Sequence, residues 1–341
     1  MDQSMDWMET SKPAISVLMS VYNGQRWLRE AIESVMAQTF TDYEFIILND
    51  GSTDRSLEIM KEFAHRDSRI VVVNKSNTGL ADSLNCGIAQ AKGNWIARID
   101  ADDLCLPERL KRQYDLACSD SQLVLIGTGF VLTDNEGRSG KEYRLPVSHE
   151  RLLIKLFSQG EFFPHSSAFY KTEVVRKIGG YRPRIKRAQD YDLWLRLSEE
   201  GRLACIDAPL VKIRKHEDQI SYDEKGRRQF VDAHVALLSY WLKRKGAIDP
   251  VSDEVPEEVF LEFRQWVDTR LQQSGLVADF DFLQELKCSL MSKKPKPCLR
   301  LVMRLLFHPS FLWRYLKRRW LGEGLIPRLA EEWIRINLKD K

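Results

Sequence analysis

Arg98-Ile99-Asp100-Ala101-Asp102-Asp103 runs an apolar segment straight into three carboxylates. Several like charges crowded at one strand end repel one another unless a cation neutralises them. Donors that are all oxygen select a hard divalent metal, Mg²⁺ or Mn²⁺. The competing reading is a solvated acidic turn, with Asp103 capping the helix that opens at Pro107. Other polar groups also close apolar runs: Tyr22-Asn23-Gly24, Asn49-Asp50-Gly51-Ser52 and the segment 74–77. Asp50 can accept a charge-assisted hydrogen bond from a ligand N–H, or it can merely hold its own Asn-Asp-Gly turn.

The elements that must position these groups alternate. Ile15 to Ser20 reads as a strand, and Trp27, Leu28, Ala31, Ile32, Val35 and Met36 follow at helical spacing. Tyr43 to Leu48 is a second strand; Ser52 is placed to cap a helix carrying Leu57, Met60 and Phe63. Ile70 to Val73 is a third strand, Gly79 to Ala91 a third helix, Trp95 to Ile99 a fourth strand, and Pro107 starts a helix through Cys118. Strands apolar enough to be covered on both faces predict an α/β fold with a mostly parallel central sheet flanked by helices. Ligands of such folds bind beyond the carboxyl ends of the strands, where the polar groups above gather.

After residue 122 the pattern loosens. Leu123 to Thr133 and Lys141 to Leu145, joined across Asp134-Asn135-Glu136-Gly137, read as a hairpin added to the sheet. Gly179-Gly180 ends a helix that starts at Thr172. A helix carries Leu193, Trp194 and Leu197, and Leu203 to Ile206 and Leu210 to Ile213 read as two short strands. Beyond residue 225 the pattern is helical, giving a flexible terminus at 1–12, an α/β domain at 13–224 and a helical C-terminal extension at 225–341.

The segments Ile15 to Gly24, Leu48 to Asp54, Asn77-Thr78-Gly79-Leu80 and Asp100-Ala101-Asp102-Asp103, followed by Gln189-Asp190-Tyr191-Asp192-Leu193-Trp194, resemble in order and spacing the family-2 glycosyltransferases of GT-A fold. The resemblance spans residues 13–222. It implies inverting transfer of a sugar from a nucleotide-sugar donor, commonly a UDP-sugar, to a saccharide or lipid-linked acceptor. Ser20, Tyr22, Asn23, Asn77 and Ser83 then belong to the nucleotide-sugar site. Asp50 faces the base, Asp100 the ribose and, through water, the metal. Asp102 matches the direct ligand of Mn²⁺ or Mg²⁺. His216 matches a histidine that reaches the metal or diphosphate, although a surface histidine is the plainer reading. His165 fits a segment near donor or acceptor or serves the structure. Inversion by single displacement needs one base for the acceptor hydroxyl. Asp190 matches it, although Gln189 stands where the family usually has Glu; Asp192, with Arg196 at i+4, suits a helical ion pair better.

Composition is compatible with all of this and excludes other classes. The chain has 341 residues, 43% of them hydrophobic, and a net charge of +3 that is too small to indicate a nucleic-acid partner. Six cysteines without CxxC pairs suggest reduced thiols in the cytoplasm. Residues 1–11 lack a secretory pattern, and no apolar run is long enough to span a bilayer. Residues 293–320 mix basic and aromatic side chains and suit either an anionic membrane surface, at the inner face of the membrane, or a solvated helical face. Gly127-Thr128-Gly129 lacks the remainder of a dinucleotide fingerprint, and no phosphate-binding GxxxxGK[ST] loop exists. A sugar-nucleotide nucleotidyltransferase would need a glycine-rich basic loop where Tyr22-Asn23-Gly24-Gln25 stands. A nucleotide-sugar or glycan-binding protein without turnover remains the alternative.

Overall fold

Alternation of apolar runs with amphipathic helices becomes alternation of layers. The computed structural model describes residues 12–158, 162–216, 226–281 and 325–338. Contacts divide the chain into two units: one holds residues 1–153, 162–181 and 197–215, the other 154–161, 182–196 and 216–341. The boundary read from composition, at 224/225, falls in a segment outside the described residues.

The first unit is built on nine strands: β1 (Ile15–Val21), β2 (Tyr43–Asp50), β3 (Ile70–Lys75), β4 (Trp95–Arg98), β5 (Leu104–Cys105), β6 (Leu123–Thr133), β7 (Ser139–Tyr143), β8 (Phe169–Lys171) and β9 (Arg202–Arg214). They lie in the order β3-β2-β1-β4-β8-β6-β9-β5, with β7 on β6. β1 to β4 pair in parallel, β8 runs against β4 and β6, and β9 runs with β6, so six of the nine point the same way. The expected mostly parallel sheet is present. β2 is buried along its whole length and β1 nearly so, as continuous apolar runs require when both faces are covered. Helix α1 (Leu28–Met36) buries Leu28, Ala31, Ile32 and Val35, spaced i, i+3, i+4, i+7. Burial of each of the larger of these side chains contributes roughly 1.5–3 kcal/mol.

Helices α2 (Ser56–Arg66), α3 (Leu80–Gln90), α4 (Arg109–Ser119) and α6 (Thr172–Lys177) complete the layers, and α5 (His149–Phe157) crosses from the first unit's segment into the second's. Gly180 N–H bonds the carbonyl of Val175 at 2.9 Å, so the glycine pair does close α6. Three local expectations are corrected. Ser52 does not cap α2: its hydroxyl accepts from Asn23 N–H, and Asp54 instead accepts from Ser56 N–H at 2.9 Å. Pro107 lies two residues ahead of α4 and lends its carbonyl to Thr39 N–H. The two apolar runs after 202 are halves of one strand, β9, whose pairing with β6 shifts between Ile206 and Pro209. A bulge at 207–208 therefore breaks the sequence pattern without ending the strand.

The second unit holds α7 (Gln189–Leu197) except its last residue, α8 (Arg227–Arg244), α9 (Glu257–Gln273) and α10 (Leu325–Leu338), with α8 in contact with both α9 and α10. α9 buries Phe260, Phe263, Val267 and Leu271, and Trp333 of α10 meets the rings of Phe263 and Trp266 at 4.9 and 5.0 Å. Among the described residues no helix is long and apolar enough to cross a membrane. Residues 293–320 lie outside the described residues.

Candidate active site

Parallel β1 to β4 bring their carboxyl ends to one edge, so residues far apart in sequence meet there. The strand order β3-β2-β1-β4 fixes their sequence along that edge: Lys75 and Asn77, then Asp50, then Ser20 and Tyr22, then Asp100. Asp50 and Asp100 follow strands two places apart, roughly 10 Å at ordinary strand spacing.

At the β2 end, Asp50 is 2% exposed and heavily engaged. Its carboxylate accepts from Lys75 Nζ, from Thr78 N–H at 3.0 Å and from Gly79 N–H at 3.0 Å. Burial pushes its proton affinity up, but the bonds from Lys75 and Thr78 outweigh that, and the carboxyl stays below the ordinary range. Asp50 thus ties down residues 75–79, and an ionised carboxylate still has acceptor capacity beyond these bonds. Lys75 also reaches the hydroxyls of Thr78 and Ser83. Ser83 is fully buried beneath this loop, so its place is as a support for Lys75, while Asn77 is exposed above it. A Cβ on Gly51, which has φ +70°, would lie 2.7 Å from Asn77 N, so glycine is required for this close approach.

The β1 end is laced to the segment that follows β2. Asn23, at φ 52°, accepts from Thr53 N–H at 2.8 Å, and Gly24 N–H reaches Ser56 Oγ at 2.9 Å. Tyr22 is 57% exposed, an aromatic face open to solvent at the rim; Ser20 is half-buried.

At the β4 end, one oxygen from each of Asp100, Asp102 and Asp103 lies within 4.8 Å of the others. Asp100 pairs with the buried Arg98 guanidinium and accepts from Ser166 Oγ at 2.8 Å. Burial opposes its ionisation, but Arg98 prevails and holds the carboxyl below its ordinary value. Asp103 does not cap α4. It is 3% exposed, shares the single Ser166 hydroxyl with Asp100 and takes the main-chain N–H of Arg214 at 2.9 Å. Burial, then Asp102 and Asp100, push its proton affinity well up. His165, beside Arg98, is driven well below its ordinary value by burial and by that guanidinium, and its Nε2 lies 2.7 Å from Tyr181 Oη. The cluster fits a divalent cation: the donors are oxygen, the negative charge exceeds what Arg98 offsets, and Asp102 is half-buried rather than sealed.

Asp190 stands in the first turn of α7, in the second unit, half-buried, with Oδ1 accepting from Tyr191 N–H at 2.8 Å. Its neighbour Asp192 is 1% exposed and held by Arg182 and Arg196, the latter at 2.9 Å. The expected ion pair with Arg196 forms. His216, half-buried, also belongs to the second unit.

Four supports escaped the sequence reading: Lys75, Arg98, Ser166 and Arg214. Arg98 and Lys75 carried a weak signal, as charged residues within or closing an apolar strand. Arg214 and Ser166 had none, because their partners lie 63 to 184 residues away.

A mostly parallel sheet whose carboxyl edge carries an all-oxygen acidic turn is the arrangement that the resemblance to family-2 glycosyltransferases implies, and comparison with known proteins agrees. The Glycosyl transferase family 2 model matches residues 16–179. EpsE of Bacillus subtilis is 36% identical over 251 residues, covering 72% of this chain and 87% of EpsE. The amylovoran biosynthesis glycosyltransferase AmsE of Erwinia amylovora is 31% identical over 239 residues, 68% of this chain and 88% of AmsE. Among solved structures, S. aureus TarS in complex with UDP-GlcNAc superposes with a TM-score of 0.56 at 18% identity, over 67% of this chain and 66% of that one. The mannosyltransferase PcManGT of Pyrobaculum calidifontis, in complex with GDP-Man and Mn²⁺, gives 0.53 at 15% identity, over 92% and 86%. The chain belongs to glycosyltransferase family 2.

Proposed function

We propose that this glycosyltransferase moves a sugar, with inversion, from a nucleotide-sugar donor, foremost a UDP-sugar, to a saccharide or lipid-linked acceptor during polysaccharide biosynthesis. The observation that carries the donor half is the edge running from Asp50 to the Asp100–Asp103 turn, which sets a buried carboxylate and an all-oxygen acidic cluster two strands apart, the first read as facing the base and the second as holding the cation. Tyr22 supplies an exposed ring beside the base. Solved relatives of this fold hold UDP-GlcNAc or GDP-Man with Mn²⁺, and AmsE is named for amylovoran biosynthesis.

Asp102 would hold the divalent cation, with His216 as a further ligand of the kind the family resemblance implies. Bound there, Mn²⁺ or Mg²⁺ neutralises charge on the departing diphosphate. The chain's own residues do the rest. Arg98 and Ser166 fix Asp100 where the donor's ribose is expected, and Asp50 keeps the loop 75–79 ordered around the base. Asp190 takes the acceptor's hydroxyl proton as that oxygen bonds to the anomeric carbon and the carbon–phosphate-oxygen bond breaks. Asp192, committed to two buried arginines, has no capacity for that role.

Release of nucleoside diphosphate from UDP-sugars, measured with and without Mn²⁺, tests the reading. Asp102→Asn is expected to lose metal-dependent turnover, and Asp190→Asn to lose transfer while retaining donor binding. Transfer that survives Asp190→Asn overturns the base assignment; donor binding without any release favours a binding protein. In the same reading, residues 293–320 dock the enzyme on anionic lipid at the cytoplasmic face. Flotation with anionic liposomes that is unchanged in a chain ending at 287 removes that role.

A further inference from the structure

Beyond the residues that face donor and acceptor, one buried cation is placed on the acidic turn itself. Arg214 ends β9, 2% exposed. Its main-chain N–H donates to Asp103 Oδ1 at 2.9 Å, and Nε donates to the carbonyl oxygen of Asp102 at 3.1 Å. Nη1 donates to the carbonyl of Asn135 in the β6–β7 turn at 3.0 Å, and Nη2 to Glu30 of α1 at 2.7 Å. Its guanidinium carbon stands 5.8 Å from the centroid of the Trp27 ring. Three guanidinium N–H groups held in one rigid planar fork go to three separate segments, a geometry that a lysine ammonium cannot supply.

We propose that Arg214 is a positioning residue for the metal ligand Asp102. The inference rests on Asp102 as that ligand and adds the reason its carboxylate is aimed. Two successive residues of the turn are held by one residue: Asp103 by its side chain, Asp102 by its carbonyl. Gripping the Asp102 carbonyl fixes the peptide plane from which its side chain departs. The grip is itself anchored, since Glu30 neutralises the buried guanidinium and the Asn135 carbonyl fixes its rotation. Loss of the guanidinium removes one donor each from the Asp102 and Asn135 carbonyls and loosens the turn, while Asp103 keeps its main-chain bond. Metal affinity then falls before nucleotide affinity does, because the Asp50 end of the site shares none of these contacts.

The test measures Mn²⁺ binding to the full chain by the electron paramagnetic resonance signal of free Mn²⁺, with and without UDP. Metal-free UDP binding and the thermal midpoint are recorded alongside. Arg214→Gln is expected to weaken Mn²⁺ by about tenfold or more, as loss of an outer support of a metal ligand generally does, with metal-free UDP affinity unchanged. Arg214→Lys, able to reach one acceptor, falls between. Asp102→Asn serves as the reference for the ligand itself. Mn²⁺ affinity in Arg214→Gln within twofold of the unaltered enzyme, while Asp102→Asn binds none, overturns the role of Arg214 alone. Equal binding by Asp102→Asn and the unaltered enzyme overturns the ligand assignment and this inference with it. Equal losses of Mn²⁺ and UDP affinity with a lowered midpoint also overturn it, marking Arg214 as a general staple. Should Arg214→Gln fail to fold, Glu30→Ala, at a side chain 58% exposed, decides the question: a loss of Mn²⁺ affinity with metal-free UDP affinity unchanged supports the inference, and no loss overturns it.

Discussion

Replacing Asp192 by Asn removes the centre of a buried charge network in the second unit. The Asp192 carboxylate accepts from Arg182 Nε on both oxygens at 3.0 Å, and from Arg196 Nε at 3.0 Å and Nη2 at 2.9 Å. The two arginine side chains are only 14% and 11% exposed. Asparagine keeps the shape, loses the charge and turns an NH₂ donor toward guanidinium donors. Breaking a buried pair from one side costs about 3–5 kcal/mol. Two lost charge-assisted bonds at about 1.5–3 kcal/mol each give a similar figure. Arg182 retains Asp249 at 2.7 Å, so we take about 4 kcal/mol. With a urea dependence of about 2 kcal/mol per molar, the unfolding midpoint moves by about 2 M. The sign of the pH dependence follows from the carboxyl. Burial would raise its pKa, but Arg196 and Arg182 outweigh burial and hold it below the ordinary 3.8. The contribution is therefore fully present above 3.8 and is lost as pH falls toward the depressed folded value. Urea titrations of both proteins at pH 8, 6.5 and 5, followed by tryptophan fluorescence, should give a constant gap. A loss under about 1 kcal/mol, or a gap that changes between pH 8 and 5, would refute the reasoning.

Three further outcomes are expected. His234, buried on α8 with Nδ1 2.8 Å from the Phe230 carbonyl oxygen, is pushed by burial from 6.5 down to about 4. Below pH 6.5 the unfolded chain takes a proton the native chain refuses, so stability falls by about 3 kcal/mol between pH 6.5 and 4; His234→Gln should flatten that slope in urea titrations. At Gly127, a Cβ would stand 2.1 Å from the Phe163 ring. Gly127→Ala should lower stability by about 1–3 kcal/mol, and an unchanged thermal midpoint would mean the ring has room to move. Asp50→Asn removes the charge that pairs with Lys75, so UDP binding measured by calorimetry should weaken by about tenfold, and the ratio to the unaltered enzyme should stay constant between pH 8 and 5 because the carboxyl is held below its ordinary range.

How far the site could be read from sequence depends on the range of the contact. Strand ends are local: the apolar run that stops at Asn49-Asp50 or at Asp100 announces both a strand and its exit, and in a parallel sheet every such exit lies on one edge. Bulges are not local. Asp207-Ala208 interrupts an apolar pattern whether a strand ends or merely bulges, and only pairing with β6 decides between them. Asp103 shows the same limit: a carboxylate ahead of a helix satisfies the capping pattern, yet its buried partners come from residues 166 and 214.

The sequence by itself determined the layers, the rim and the three carboxylates clustered just past β4, because hydrophobic period and turn chemistry act over a few residues. Tertiary structure alone decided what holds those carboxylates. Arg98 neutralises Asp100, Asp103 is locked inward, Arg214 grips the Asp102 carbonyl, and Asp192 is withdrawn from chemistry by two arginines. The physical reason is that a buried charge is tolerated only where long-range folding brings it a partner, and such partners leave no periodicity in the chain.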